Sequence, residues 1–158
     1  MSKQTLKPLT GTLRPTPYPD PEPGEPALLF DIDIPVRFAL RSPVAPGLFP
    51  RPEPVAQVSL EDVDLGVSDW RDLAGKEVAF PRELDQSDAA IYLGGVHNPV
   101  RLHRIRFGRA RGRALRAEID LGLDFRCVNP LPPELGASLR VHWKIDLEVI
   151  AEDEDGDS

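Results

Sequence analysis

The chain has 158 residues, a formal net charge of −7, 41% hydrophobic residues, one cysteine and 18 prolines. That length supports one domain with a core large enough to need no disulfide or metal staple. The lone Cys127 excludes an intramolecular disulfide, and proline at about twice ordinary usage argues against long helices.

Five of the seven net negative charges belong to Glu152, Asp153, Glu154, Asp155 and Asp157, so the body is nearly balanced and residues 151–158 read as an acidic, disordered tail. The acidic sign argues against general nucleic-acid binding, which rests on phosphate neutralisation. Residues 1–24 hold no signal-like apolar run, and nothing approaches the ~20 apolar residues of a membrane helix. The expectation is a cytoplasmic protein with no membrane partner. Fifteen arginines against four lysines read as the coding bias of a GC-rich bacterium.

In chain order, residues 1–26 carry seven prolines and read as an extended leader or arm over the surface, unable to pair as a central strand. The folded domain is expected over residues 27–150. Its first strand, 28–40, places Phe30, Ile32, Ile34, Val36, Phe38 and Leu40 on one face. Pro35 removes a ladder donor and predicts an edge position or a bulge there. A proline-rich loop covers 42–54. Strand 55–67 slips its hydrophobic phase at Glu61 and Asp62, which predicts a β-bulge. Residues 68–75 can hold one helical turn, capped by Ser68 or Asp69 and stopped by Gly75.

Short strands are expected near 77–80 and 90–96. The runs 100–107 and 114–125 read as a hairpin linked by residues 108–112. Phe107 opposite Leu115 gives matching dry faces only if His103 and Arg104 form a bulge. Arg104 then faces Glu118, and Arg101 faces Asp120. The last strand, 139–149, turns Leu139, Val141, Trp143, Ile145, Leu147 and Val149 inward. These elements define an all-β fold, a single antiparallel β-sandwich or flattened barrel of about seven to eight strands with at most one short helical turn.

No strong catalytic motif is present. His97, His103 and His142 lack the close spacing of a zinc set and read as unrelated surface histidines. Cys127 reads as a buried small hydrophobe. Asp31 with Asp33, and Glu118 with Asp120 and Asp124, share wet faces as solvated carboxylates do. Asp62 and Asp64 lack the glycine and acidic ligand of a calcium loop, and no phosphate-binding loop or serine elbow occurs. No cofactor or metal is expected.

The densest basic feature is the hairpin end. Arg106, Arg109, Arg111, Arg113 and Arg116 have no obvious acidic partner in that register and are the first candidates for contact with a protein. Gly94-Gly95 permits a bulge or close backbone approach, and Asn98-Pro99 reads as a turn that His97 caps. His97 and Asn98 join the candidate surface.

The text Ile91-Tyr-Leu-Gly-Gly-Val-His-Asn-Pro-Val100, with Leu73-Ala-Gly-Lys-Glu-Val-Ala-Phe-Pro81 before it, resembles small uncharacterised bacterial all-β proteins over roughly residues 60–125. The resemblance implies the fold class and brings no catalytic residues. The functional expectation is a non-enzymatic protein-binding module, such as an immunity protein neutralising a bacterial toxin. The alternatives are a small carbohydrate-active or hydrolytic enzyme using wet-face carboxylates, and a subunit of a larger assembly. The assembly reading takes the exposed edge of strand 28–40 as its docking surface, and a homo-oligomer through an edge strand is a further option.

Overall fold

In the computed structural model, residues 5–17, 22–24, 28–41, 43–44, 46–50, 52–80 and 89–151 are described. The expected acidic tail, from residue 152 on, lies outside them. Nine strands are present among the described residues: β1 (Leu6–Pro8), β2 (Gly11–Pro17), β3 (Leu28–Phe38), β4 (Val55–Val63), β5 (Glu77–Ala79), β6 (Ala89–Leu93), β7 (Val96–Arg111), β8 (Ala114–Asp124) and β9 (Ser138–Val149). The only helix among the described residues is a 3₁₀ turn, Trp70–Leu73.

The all-β expectation holds, but the sheet closes on itself. Pairing runs β3-β2-β9-β8-β7-β6-β4 and returns from β4 to β3, a seven-stranded barrel with β1 and β5 added outside the ring. There are therefore no two separate sheets of a sandwich. Most pairings are antiparallel, but β2 pairs with β9 in parallel. Alternation in every ring strand sends one face inward, as a small barrel requires. Leu13, Phe30, Ile32, Ile34, Ile91, Ile105, Leu115, Ile119, Leu121 and Leu147 are fully buried.

The leader is where sequence and structure part most clearly. Residues 11–17 form a ring strand, pairing with β3 through Thr12–Pro17 and with β9 through Gly11–Leu13. The prolines do not prevent this, for a geometric reason. The Leu13 carbonyl accepts from the Ile150 amide at 2.8 Å, so Leu13 presents its backbone polar groups to β9. Pro15 and Pro17, two and four residues on, present theirs to the same side, beyond the end of β9 at Val149. No ladder bond is lost.

Pro35 follows the same logic. It is neither at an edge nor at a bulge, because β3 has β1 and β2 along one side and β4 along the other. Its carbonyl accepts from Leu9 at 2.8 Å, which places its missing donor at the gap between β1 and β2. The free edge of strand 28–40 that the sequence suggested as a docking surface is therefore absent among the described residues.

Other local readings hold. Val63 pairs with Phe30 and Leu60 with Ile32, so Glu61 and Asp62 oppose one residue in a bulge. Asp62 adopts φ 56°, and its amide donates to Asp31 Oδ1 at 3.0 Å. Asp69 caps the 3₁₀ turn, accepting from the Arg71 amide at 2.9 Å.

Candidate protein-docking surface

Strands β7, β8 and β9 carry the charged outer face. The β7–β8 hairpin turns at Gly112-Arg113, with Arg111 opposite Ala114. One bulge lies between Leu102 and Arg104, at the expected His103, and a second between Phe107 and Ala110. The tight turn in place of the expected loop 108–112, together with this one-residue bulge, shifts the expected register by two. Phe107 faces Ala117 instead of Leu115, Arg104 faces Asp120 instead of Glu118, and Arg101 faces Gly122 instead of Asp120. A shift of two keeps every side chain on its expected face, so the buried set survives the error.

The arginines along this hairpin divide into two groups. Arg104 bridges Glu77 at 3.0 Å and Asp120 at 3.3 Å. Arg116, expected to lack a partner, pairs with Asp146 on β9 at 3.2 Å. Arg126 clasps Asp124 at 2.6 Å. By contrast, Arg106, Arg109 and Arg111 are exposed and have no ion pair among the described residues. Arg113 is exposed at the turn. Arg106, Arg109 and Arg116 rim a groove of about 400 Å³, with Gly75, Gly108 and Glu118 also lining it.

The other two candidates do not join this group. His97 and Asn98 lie at the opposite end of β7, about 36 Å from Arg109 along the strand at ~3.3 Å per residue. Asn98-Pro99 is strand, not turn. The turn is Gly94-Gly95, whose φ values of 68° and 79° suit the two-residue hairpin joining Leu93 to Val96. Asn98 is fully buried and cannot meet a partner. Its Nδ2 lies within hydrogen-bond reach of the carbonyls of Ile91 (3.2 Å), Leu93 (3.0 Å) and Val96 (3.2 Å), sealing the barrel end behind the turn. His97 is exposed and packs on Tyr92 with ring centroids 4.9 Å apart.

The three histidines do not converge as one set. His142, on β9, hydrogen-bonds Asp120 and lies 3.5 Å from Glu118. The bond from His142 holds the Asp120 carboxyl below the usual carboxylate range against the opposing effect of burial, with Arg104 adding to it. His103 is pushed below its ordinary pKa by burial, then by the charges of Arg140 and Arg101. Among the described residues no group of three or more His, Cys, Asp or Glu is placed to hold a metal ion.

Cys127 is exposed, not buried, because Phe125 and Val128 on either side take the inward positions of that turn. Several wet-face carboxylates are engaged within the fold: Asp31 at the β4 bulge, Asp120 with His142 and Arg104, Asp124 with Arg126.

The class these features define is a closed β-barrel with a filled interior and an arginine-bearing hairpin end. No family model matches the chain, and neither a curated protein nor a solved structure matches it. No helix of the described residues is long and apolar enough to cross a membrane.

Proposed function

We propose that the protein is a non-enzymatic binding module that docks an acidic protein surface with the arginine end of the β7–β8 hairpin. The observation carrying this reading is the division of the arginines. Arg104, Arg116 and Arg126 are tied to Glu77, Asp120, Asp146 and Asp124, while Arg106, Arg109 and Arg111 stand exposed without an ion pair among the described residues. Guanidinium forks match carboxylates bidentately, and two of the unpaired arginines, Arg106 and Arg109, rim one groove. Neutralising a toxin by occupying its acidic surface is one function of this kind.

Affinity capture from a lysate of the source organism tests the reading, with wild type and the Arg109→Ser/Arg111→Ser variant compared by quantitative mass spectrometry. An acidic protein enriched by wild type and lost with the variant supports it. Identical enrichment by both removes the hairpin end from the interface.

A further inference from the structure

A second basic site lies at the far end of the same face, eight residues along β8 from Ala114 and about 26 Å away at ~3.3 Å per residue. Gly122 sits between Arg101 on β7 and Arg140 on β9, each its direct cross-strand partner. The outer face therefore has a gap without a side chain, flanked by an arginine one strand spacing away on each side. This gap belongs to a groove of about 640 Å³ that Ser138 and Asp124 also line.

The bulge between Leu102 and Arg104 brings His103 over the gap. A Cβ placed on residue 122 would lie 3.1 Å from His103 Nε2. Arg101 Nε–H donates to His103 Nδ1 at 3.3 Å. Because that arginine nitrogen can only donate, Nδ1 is the acceptor, and the neutral ring carries its hydrogen on Nε2 at the gap. Burial and the charges of Arg140 and Arg101 favour the neutral ring, with Asp120 opposing them. The carboxylate in the groove, Asp124, is neutralised by Arg126. Arg140 has no ion pair among the described residues.

We propose that this groove binds a phosphate-monoester-type dianion over Gly122, held by Arg140 and His103 Nε2–H, with Arg101 positioning the imidazole. Donors that approach from a flank and from above match a tetrahedral group with several acceptor oxygens, whereas one guanidinium fork alone satisfies a planar carboxylate. The missing side chain at Gly122 leaves the space that the His103 ring occupies, and its Nε2–H meets the anion there beside Arg140. This site is separate from the hairpin end and does not depend on it.

The test is a titration of the ¹⁵N-labelled full chain with inorganic phosphate at pH 7 and constant ionic strength, followed by amide and histidine-ring shifts. Saturating shifts are expected at Gly122, His103 and Arg140. Arg140→Gln and Gly122→Ala should each weaken binding by at least roughly tenfold, about 1.4 kcal/mol. Gly122 has an ordinary φ, and the added methyl would stand 3.1 Å from His103 Nε2 and 3.8 Å from Arg101 Cβ, so it displaces the ring by a few tenths of an ångström and the fold is expected to persist. Acetate at equal ionic strength should leave these signals in place, and Arg109→Ser/Arg111→Ser should titrate like wild type. Shifts that never saturate, shifts centred on the hairpin end, acetate matching phosphate, or unchanged affinity in Arg140→Gln would each overturn the assignment.

Discussion

At the residue scale, burial decides what a side chain does more than its chemical type. Asn98 and His97 are neighbours in a text that suggested a turn, yet one is sealed inside the barrel and the other packs on Tyr92 outside. Trp143 is 6% exposed on the inner face of β9, opposite Ile119. Trp143→Ala should cost about 3–5 kcal/mol, read from denaturant unfolding followed by circular dichroism. A near-neutral change would refute the inward register of β9.

Asp120 makes a pH prediction. Its folded pKa lies below the ordinary value, so as pH falls the unfolded chain takes up the proton first. Its contribution is complete above the ordinary aspartate range, near pH ~4, and is lost as pH falls through that range toward the lowered value. Wild type should lose stability more steeply than Asp120→Asn on acidification from pH 7 to 3. Parallel stability–pH curves would show that the bond to His142 contributes nothing to folding.

At the scale of elements, β3, β8 and β9 were legible because each alternates without interruption over eleven or twelve residues. The bulges at Glu61-Asp62 and His103 were legible as breaks in phase. The Phe107/Ala110 bulge was not, since Gly108 and Gly112 together made residues 108–112 look like one loop. β2 was hidden for another reason. Proline content marks a segment as a poor donor, but only the positions of its neighbours tell whether a donor was needed, and those follow from the parallel pairing with β9.

That pairing makes the leader essential. Removing residues 1–17 takes out β1 and β2, uncovers β3 and β9, and removes Leu6 and Leu13 from the core. The truncated chain should lose its cooperative unfolding transition in calorimetry. A melting temperature within a few degrees of wild type would mean that the barrel does not need the strand that closes it.

At the scale of the molecule, ring closure leaves β3 no free edge among the described residues and turns the buried side chains inward. Fold class was readable because hydrophobic period is a local property. The ion pairing of the hairpin arginines was half readable: Arg106, Arg109 and Arg111 have no ion pair among the described residues, but Arg116 finds Asp146 on a strand thirty residues away. The Gly122 groove was out of reach, because Arg101, Gly122 and Arg140 meet only through the register of three strands.

The central claim is that arginines of one hairpin serve two ends, anchoring the face where paired and binding a partner where not. The most direct measurement compares Arg104→Ser with Arg109→Ser/Arg111→Ser for both unfolding free energy and partner capture. Exposed charges contribute little to folding, so the double variant should stay within about 0.5 kcal/mol of wild type while losing the acidic partner. Arg104→Ser should keep the partner and lose about 1 kcal/mol, through the contacts to Glu77 and Asp120. Full capture by the double variant, or loss of capture by Arg104→Ser with the double variant unaffected, would contradict the claim.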